Sequence, residues 1–341
     1  MQTKNISEFI EKNKLPKYRF KQIIKAVYVD NVTDFSEITT IPKDLREKLS
    51  RQINILSFSV IQVLASKDKK SFKALLALSD GKKIETVLIS PLSGQWSACL
   101  SSQTGCALGC KFCATGALGS GRNLNSEEIC DQILFWRQYF KKFEIAGNFS
   151  NVVFMGMGEP FLNYDEIKKS IRQLLDPELF NFSARHISVS TAGIPVGIKN
   201  FAKDFPQLNL AISLNSALDR KRSELMPINK RFNLGKIKNA LDFYLQKTKR
   251  KIFLEYIMLE NINDSKEDAD KLAEFIRKFE RQDLLHVNLI RHNQTIPEFT
   301  PSSQDRVRQF KNYLLRNKIS VSIRKSLGDE IKAACGQLAG K

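Results

Sequence analysis

The sequence predicts an α/β fold built on a largely parallel sheet, either open or closed into a barrel. From residue 96 onwards, short β-rich apolar runs alternate with amphipathic helical stretches, which is typical of repeated βα units. Cysteine, glycine and polar motifs follow several predicted strands, at the edge where parallel β/α proteins place their active sites. The predicted strands are 96–102, 151–156, 186–191, 208–214, 252–259, 286–292 and 321–326.

The segment before the βα units is predicted to be helical and basic. Ile23, Ile24 and Val27 recur at helical spacing, and lysine or arginine occupies many of the positions around them. A further helix is expected to begin near Pro42. We expect residues 1–60 to form an accessory domain that contacts RNA; a solvated lysine face is the alternative interpretation.

A β-hairpin is expected between this helical segment and the first βα unit. Two β-rich runs flank Asp80-Gly81, a pair that favours a tight turn. The predicted organisation is a helical domain (1–60), a hairpin extension (61–91), a core (92–329) and a C-terminal segment (330–341) that carries Cys335.

Composition narrows the class of protein. The chain has 341 residues, with 54 Lys and Arg against 36 Asp and Glu, for a formal net charge of +18. This excess attracts polyanions and indicates nucleic acid as a partner. The sequence has no apolar run long enough to span a membrane, and its start lacks the apolar stretch of a secretory signal. We therefore expect a cytoplasmic protein with reduced thiols.

Three cysteines have the spacing of a metal site. Cys106, Cys110 and Cys113 form C-x3-C-x2-C, and Gly105 and Gly109 give their loop freedom to curl. Structural zinc needs four ligands, and a second cysteine pair is missing. Three thiolates instead suit an iron–sulfur cube with one iron left open, although unligated buried cysteines are the alternative. Cys130, by contrast, lies in a helical pattern and is predicted to be a small buried residue.

Four motifs resemble those of a known enzyme family. They are CLSSQTGCALGCKFCATG, FMGMGEPFLN, MPINKRF and DEIKAACGQLAG, and the resemblance covers nearly the whole chain. The cysteine spacing is similar to that of radical S-adenosylmethionine (SAM) enzymes, and all four motifs together resemble the RlmN/Cfr family of ribosomal RNA adenosine methyltransferases. The resemblance implies a partial (β/α)6 barrel and a 4Fe–4S cluster held by Cys106, Cys110 and Cys113. It also implies an electron donor similar to flavodoxin or ferredoxin.

The same resemblance carries SAM contacts over to this chain, motif by motif. Glycine-rich GMGEP corresponds to the family's strand end that receives the SAM amino group. The implied contacts are Gly158 and Glu159 in GMGEP, Ser190 in HISVST, Ser213, Leu214 and Asn215 in SLN, and Asn293 in RHN. The family usually has histidine where this chain has Asn215, which puts side-chain contact at that position in doubt.

Two further cysteines and a glutamate receive catalytic roles from the resemblance. A first SAM methylates Cys335, and a second SAM yields a 5′-deoxyadenosyl radical that takes a hydrogen atom from that methyl group. The resulting radical adds to adenine, and Glu85 accepts the proton of the ring carbon. Cys99 then attacks the Cys335 sulfur, forms a transient disulfide and releases the methylated RNA. An outward-facing strand residue is the alternative interpretation of Glu85.

The position of the methyl group depends on the branch of the family. Pro160 in GEPFLN and Thr104 before Gly105 favour the RlmN branch, which methylates carbon 2 of an adenosine at the peptidyl-transferase centre of 23S rRNA and, in many members, adenosine 37 of tRNAs. VNLIRHNQT is more similar to the Cfr branch, which methylates carbon 8 and confers antibiotic resistance. The interpretation favoured is carbon 2. The rival classes are a non-catalytic RNA-binding metalloprotein and a radical SAM enzyme that acts on a small molecule.

Overall fold

Strands along most of the chain form one mixed sheet. The structure is a computed structural model and describes residues 2–92, 94–294 and 296–340. Within these residues the strands lie in the sheet in the same order as in the sequence. They are β1 (Phe58–Ala65), β2 (Ser71–Leu78), β3 (Lys83–Leu92), β4 (Gln95–Cys99), β5 (Asn148–Phe154), β6 (Ile187–Thr191), β7 (Asn209–Ser213), β8 (Ile252–Met258), β9 (Leu285–Arg291) and β10 (Val321–Arg324).

The sheet changes direction at β4. Strands β1 to β4 pair antiparallel, and β4 to β10 pair in parallel. In the described part of the chain no ladder joins β10 back to β4, so the parallel strands form a partial barrel. The predicted α/β class is confirmed, and β10 follows six βα units as an additional parallel strand.

Helices connect the parallel strands and cover their outer side. The helices are α1 (Gln2–Lys12), α2 (Tyr18–Tyr28), α3 (Lys43–Gln52), α4 (Ala114–Ala117), α5 (Ser126–Lys142), α6 (Tyr164–Leu175), α7 (Pro195–Asp204), α8 (Asp219–Leu225), α9 (Leu234–Thr248), α10 (Lys266–Arg277) and α11 (Gln304–Arg316). Each of α5, α6, α7, α9, α10 and α11 lies in the chain between two neighbouring parallel strands, so the carboxyl ends of all these strands meet at one edge.

The helical N-terminal segment and the hairpin are both present. Ile23, Ile24 and Val27 are buried on α2, and α3 follows Pro42, as predicted. The turn between β2 and β3 contains Gly81 at φ +78°, which confirms the predicted hairpin.

The sequence patterns missed β1. This strand begins at Phe58, within the segment predicted to be helical, and the expected boundary after residue 60 falls inside it. The boundary after residue 91 falls inside β3, and the boundary after residue 329 falls inside a short 3-10 helix, Asp329–Ile331. None of the helices in the described ranges has the length and apolar character needed to cross a bilayer.

Candidate active site

Three cysteine thiols pack against a small cluster of apolar side chains at the carboxyl edge of the sheet. Cys106, Cys110 and Cys113 are partly buried and pack against a cluster separate from the main core. The apolar members of that cluster are Leu108, Phe112, Ala192, Leu225, Met226 and Leu259. An iron–sulfur centre needs thiolate donors and a low-polarity surrounding, and the residues present supply both.

The backbone of the cysteine loop is fixed by short hydrogen bonds and by glycine. Cys106 N donates to the Gly119 carbonyl at 2.8 Å, and Cys113 N donates to the Cys110 carbonyl at 3.1 Å. Gly109 has φ +59°, as the predicted curl requires. Gly105 is needed for space instead, because a Cβ atom there would lie 2.6 Å from the Gly119 carbonyl oxygen.

Burial favours the protonated form of two of these thiols, Cys106 and Cys110. It raises the pKa of Cys106 to about 12, and it raises the pKa of Cys110 further, with repulsion from Cys113 adding to the effect. No set of three His, Cys, Asp or Glu side chains in the described ranges is arranged to hold a single metal ion. A cube takes one thiolate per iron, so its three ligands need not converge on a point.

The predicted SAM-binding segment after β5 is hydrogen-bonded to the segment that follows β4 and leads into the cysteine loop. Glu159 N donates to Gln103 Oε1 at 2.8 Å, and Gly158, at φ +98°, lies against the Gln103 side chain. The buried Glu159 carboxylate accepts from Phe161 N at 3.0 Å and from Ala192 N at 2.7 Å. Burial raises the pKa of Glu159. The Glu159 side chain therefore links the segments that follow β5 and β6. A ligand could be bound only by the carboxylate lone pairs that these two hydrogen bonds leave free.

The SLN segment at the end of β7 is held from within the fold. Leu214 N and Asn215 N both donate to the Glu255 carbonyl. Asn215 has φ +57°, a conformation that asparagine tolerates well, and its Oδ1 accepts from Ile257 N at 3.0 Å. Because the Asn215 side chain is buried and its Oδ1 already accepts from the β8 backbone, side-chain contact with SAM at this position is not favoured. Ser213, at the same edge, is only half-buried.

Arg222 is a site residue that the sequence analysis missed. It is fully buried, and its guanidinium donates to the Leu214 carbonyl at 3.0 Å and to the Ala192 carbonyl at 2.6 Å, at the ends of β7 and β6. Burial lowers its pKa to about 10, while the nearby Cys110 opposes that shift. In the sequence it lies in DRKRSELMPIN, which has the pattern of an exposed basic helix.

Cys99 and Cys335 both lie within electrostatic range of Arg324. Each thiol acts electrostatically on Arg324 at the end of β10, and both raise the pKa of this guanidinium, with Cys335 the larger cause. Burial and the proximity of Cys335 raise the pKa of Cys99 to about 12, and Arg324 opposes that rise. Arg324 Nη1 also lies 3.6 Å from Glu255 Oε2.

The segment around Cys335 is docked on the cysteine loop. Ala114 N, next to Cys113, donates to the Gly336 carbonyl at 2.8 Å, and Thr115 Oγ1 donates to the Leu338 carbonyl at 2.6 Å. Asn293, predicted to contact SAM, donates from Nδ2 to the Cys335 carbonyl at 3.3 Å. Cys335 is thus held between the loop that follows β9 and the loop that carries the three thiols.

Glu85 lies in the interior, which excludes the outward-facing alternative. Its side chain is 1% exposed, and Oε1 lies 2.8 Å from Lys73 Nζ. Oε2 accepts from Ala339 N at 2.7 Å and from Gly340 N at 3.3 Å. A buried lysine on β2 therefore pairs with the glutamate on β3, and the carboxylate reaches the C-terminal segment.

The site also has buried polar atoms without a hydrogen bond. His292 Nε2 makes none to the described residues, and Glu255 Oε2 has only its 3.6 Å ion pair with Arg324. Such atoms fit a polar ligand such as SAM or a base. The remaining predicted contact, Ser190, is half-buried on β6 beside Ala211 of β7. Cys130 is fully buried on α5, as predicted, and its thiol faces the Ser170 carbonyl.

This fold and this set of thiols define a radical SAM enzyme. Residues 100–276 match the model of the radical SAM superfamily, and residues 1–55 match that of the ribosomal RNA large subunit methyltransferase N-terminal domain. The solved structure of a radical SAM methyltransferase from Sphaerobacter thermophilus is similar over 100% of this chain and 98% of that chain, with a TM-score of 0.92 and 35% identity.

Curated relatives narrow the class from radical SAM enzymes to one family of methyltransferases. A ribosomal RNA large subunit methyltransferase Cfr from Clostridium botulinum is 41% identical over 98% of this chain and 95% of its own length. The protein of the same name from Bacillus velezensis is 40% identical over 100% of this chain and 98% of its own length. The chain belongs to the RlmN/Cfr family of radical SAM methyltransferases, which use a 4Fe–4S cluster and SAM.

Proposed function

We propose that this chain methylates carbon 2 of an adenosine in 23S rRNA, in the cytoplasm, through a methyl group carried on Cys335. The observation that supports this proposal is the docked position of Cys335: the residues that follow it hydrogen-bond to the three-thiol loop, and Cys335 and Cys99 both act electrostatically on Arg324. A lone cysteine in an unattached tail would have no such neighbours. Cys106, Cys110 and Cys113 hold the cluster, and when bound the cluster and SAM supply a hydrogen-abstracting radical.

The protein side chains divide the remaining chemistry. Cys335, as thiolate, accepts the methyl group, and Arg324 favours negative charge on Cys335 and on Cys99. After the methyl carbon has bonded to the ring, Glu85 accepts the proton of the ring carbon, and the one electron that the adduct must also lose would return to the cluster held by Cys106, Cys110 and Cys113. Cys99 attacks the Cys335 sulfur, an S–S bond forms, the carbon–sulfur bond breaks, and the departing carbon takes up a proton as a methyl group. An external thiol then reduces the disulfide.

Trapping the bond between protein and RNA tests this sequence of steps. We expect Cys99→Ala, incubated anaerobically with SAM, reductant and 23S rRNA fragments, to accumulate a covalent adduct, because addition to the ring precedes the attack by Cys99. The Cys99→Ala/Cys335→Ala double variant is the matched control and yields no adduct. Free RNA as the only species in the Cys99→Ala reaction contradicts the proposal.

Carbon 2 is the first candidate because the features that favour it lie at the site. Thr104 immediately precedes the cysteine loop, where its Oγ1 accepts from Arg122 N at 3.0 Å, and Pro160 follows Glu159. The proposal extends to adenosine 37 of tRNA and to a flavodoxin-like or ferredoxin-like electron donor.

Carbon 8 is the second candidate function, and two observations favour it. The relatives at 40–41% identity carry the name Cfr, and VNLIRHNQT resembles that branch. Mass spectrometry of nucleosides from a host without its own enzyme separates the two. 2-Methyladenosine in 23S rRNA supports the first candidate, and 8-methyladenosine replaces it with the second. Transcribed tRNA, assayed in parallel, tests the extension to adenosine 37.

A further inference from the structure

The hydrogen bonds of Glu85 indicate a second task for this residue. In the docked arrangement both carboxylate oxygens are engaged: Oε1 with Lys73, and Oε2 with the backbone amides of Ala339 and Gly340. A residue whose only task is to accept a proton from RNA has no need of amides from the segment that carries the methyl group. The carboxylate here joins the β2–β3 hairpin to the residues four and five positions after Cys335.

The hairpin is a rigid support for this contact. Lys73 pairs with Val87 and Leu75 pairs with Glu85, so the lysine and the glutamate are diagonal neighbours on adjacent strands. Lys73 is 7% exposed and Glu85 1% exposed. A lysine and a carboxylate are rarely so buried unless each satisfies the other, and their hydrogen bonds are strengthened by charge.

The segment that follows Cys335 makes two sets of contacts. Ala114 and Thr115 hold the carbonyls of Gly336 and Leu338 against the loop of the three thiols. Glu85 accepts hydrogen bonds from the next two amides of the chain, those of Ala339 and Gly340. Together these bonds order the segment from residue 336 to residue 340, and that order fixes where the preceding residue, Cys335, lies.

We propose that Lys73 and Glu85 are positioning residues that anchor the C-terminal segment and thereby seat Cys335 at the three-thiol loop before the methyl group reaches it. The functional part of this inference rests on the proposed function. Glu85 then has two successive tasks, because release of the Ala339 and Gly340 amides frees Oε2 to accept a proton. The anchor acts at the first step, methylation of Cys335, which a residue serving only as proton acceptor would not affect.

The Lys73→Met/Glu85→Leu double variant removes the anchor without leaving a buried charge unpaired. Replacing both members of a buried ion pair by apolar residues of similar size is often neutral for folding, whereas removing one member is not. The matched control is Lys168→Met/Asp204→Leu, since that pair has a similar separation of 2.9 Å and joins α6 to α7 away from the segment. A thermal unfolding midpoint close to that of the parent establishes that each variant folds.

Two measurements on the full chain decide the proposal. We expect the Ala339 and Gly340 amides to exchange with deuterium about ten-fold faster in the anchor variant, as loss of a charge-assisted hydrogen bond predicts, and not in the control. We also expect the methylated fraction of Cys335, measured by mass spectrometry of protein purified from cells, to fall several-fold. Parent-like exchange in a folded anchor variant overturns the anchor. Faster exchange with an unchanged methylated fraction overturns the positioning role.

Failure of the anchor and failure of the proposed function are distinguishable. Amide exchange needs neither SAM nor RNA, so it tests the anchor alone. If the parent protein carries no methyl group on Cys335 even after incubation with SAM, the proposed function and the positioning role fail together. The exchange result then still decides whether Glu85 holds the segment.

Discussion

Arg324 is a cation on which both Cys99 and Cys335 act electrostatically. It lies at the end of β10, and its guanidinium opposes the rise that burial causes in the pKa of Cys99. A disulfide-forming step needs Cys99 as thiolate, so the rate of that step depends on how far Arg324 offsets the burial. No sequence motif indicates this role, because β10 and β4 are separated by more than two hundred residues of the chain.

Removing this cation should slow the reactions of Cys99. We expect Arg324→Met to raise the pKa of Cys99 further above its already raised value, which lowers the thiolate fraction at pH 8. Higher intrinsic nucleophilicity partly compensates, so alkylation of Cys99 by iodoacetamide should slow by roughly three- to ten-fold. Quantitative peptide mass spectrometry between pH 7 and 10 measures the rate. Arg281→Met, which breaks the exposed pair with Asp283, is the control, and equal rates in the two variants contradict the shared-cation account.

Residues whose neighbours are close in sequence could be predicted, and those with distant partners could not. Cys106, Cys110 and Cys113 lie within one loop, so their spacing alone indicates a shared centre. Arg222 and Lys73, by contrast, have the appearance of surface residues in sequence. Their burial depends on carbonyls and a carboxylate that other strands supply, which is information that exists only in the fold.

At the scale of single elements, α5 carries a buried carboxylate that is hydrogen-bonded to the segment between α3 and β1. Asp131 is 1% exposed, and its Oδ2 accepts from Ser57 N at 2.8 Å, immediately before β1. Burial raises the pKa of Asp131 to about 7, helped by Glu128 and opposed by the Ser57 hydrogen bond. The same carboxylate also contributes to the raised pKa of Tyr28 on α2.

This raised pKa predicts that stability falls as the pH rises. The folded protein keeps a proton on Asp131 up to about pH 7, whereas the unfolded chain releases it near 3.8, so each pH increase between these values favours unfolding. From pH 5.5 to 8 this one group should cost about 2 kcal/mol of unfolding free energy. Asp131→Asn keeps an acceptor for Ser57 and should remove that part of the dependence in urea unfolding. Asp204→Asn is the control, because the pKa of Asp204 is lowered and its contribution is lost only in acid.

The contrast between β1 and the parallel strands shows what the patterns can resolve. The buried parallel strands read as apolar runs bounded by polar motifs, and all seven predicted runs overlap an observed strand. β1 is an edge strand with a register shift between Val60 and Gln62, and most of its residues are exposed. Its side chains therefore do not alternate between a core face and a solvent face, and the sequence lacks the signal by which a strand is recognised.

At the scale of the whole molecule, the positive charge is a property of the entire chain, and the N-terminal helices carry only part of it. The +18 net charge indicates a polyanion but does not say which surface binds it. The N-terminal helices offer one exposed set of lysines, and the match of residues 1–55 to a ribosomal RNA methyltransferase domain coincides with it. These lysines are Lys14, Lys17, Lys21 and Lys25.

If these helices contact the RNA backbone, neutralising their lysines should weaken binding in a salt-dependent way. We expect the Lys14→Gln/Lys17→Gln/Lys21→Gln/Lys25→Gln variant to reduce the slope of log affinity against log salt by up to roughly 3, because each lost phosphate contact removes about 0.7–0.9. Filter binding of rRNA fragments from low to physiological salt measures the slope. The control neutralises an equal number of exposed lysines on the outer side of the barrel: Lys199, Lys203, Lys247 and Lys278. An equal loss of slope in both variants would mean that RNA is attracted by the net charge of the whole molecule. An unchanged slope in the N-terminal variant would mean that its four lysines are exposed to solvent and do not contact the RNA.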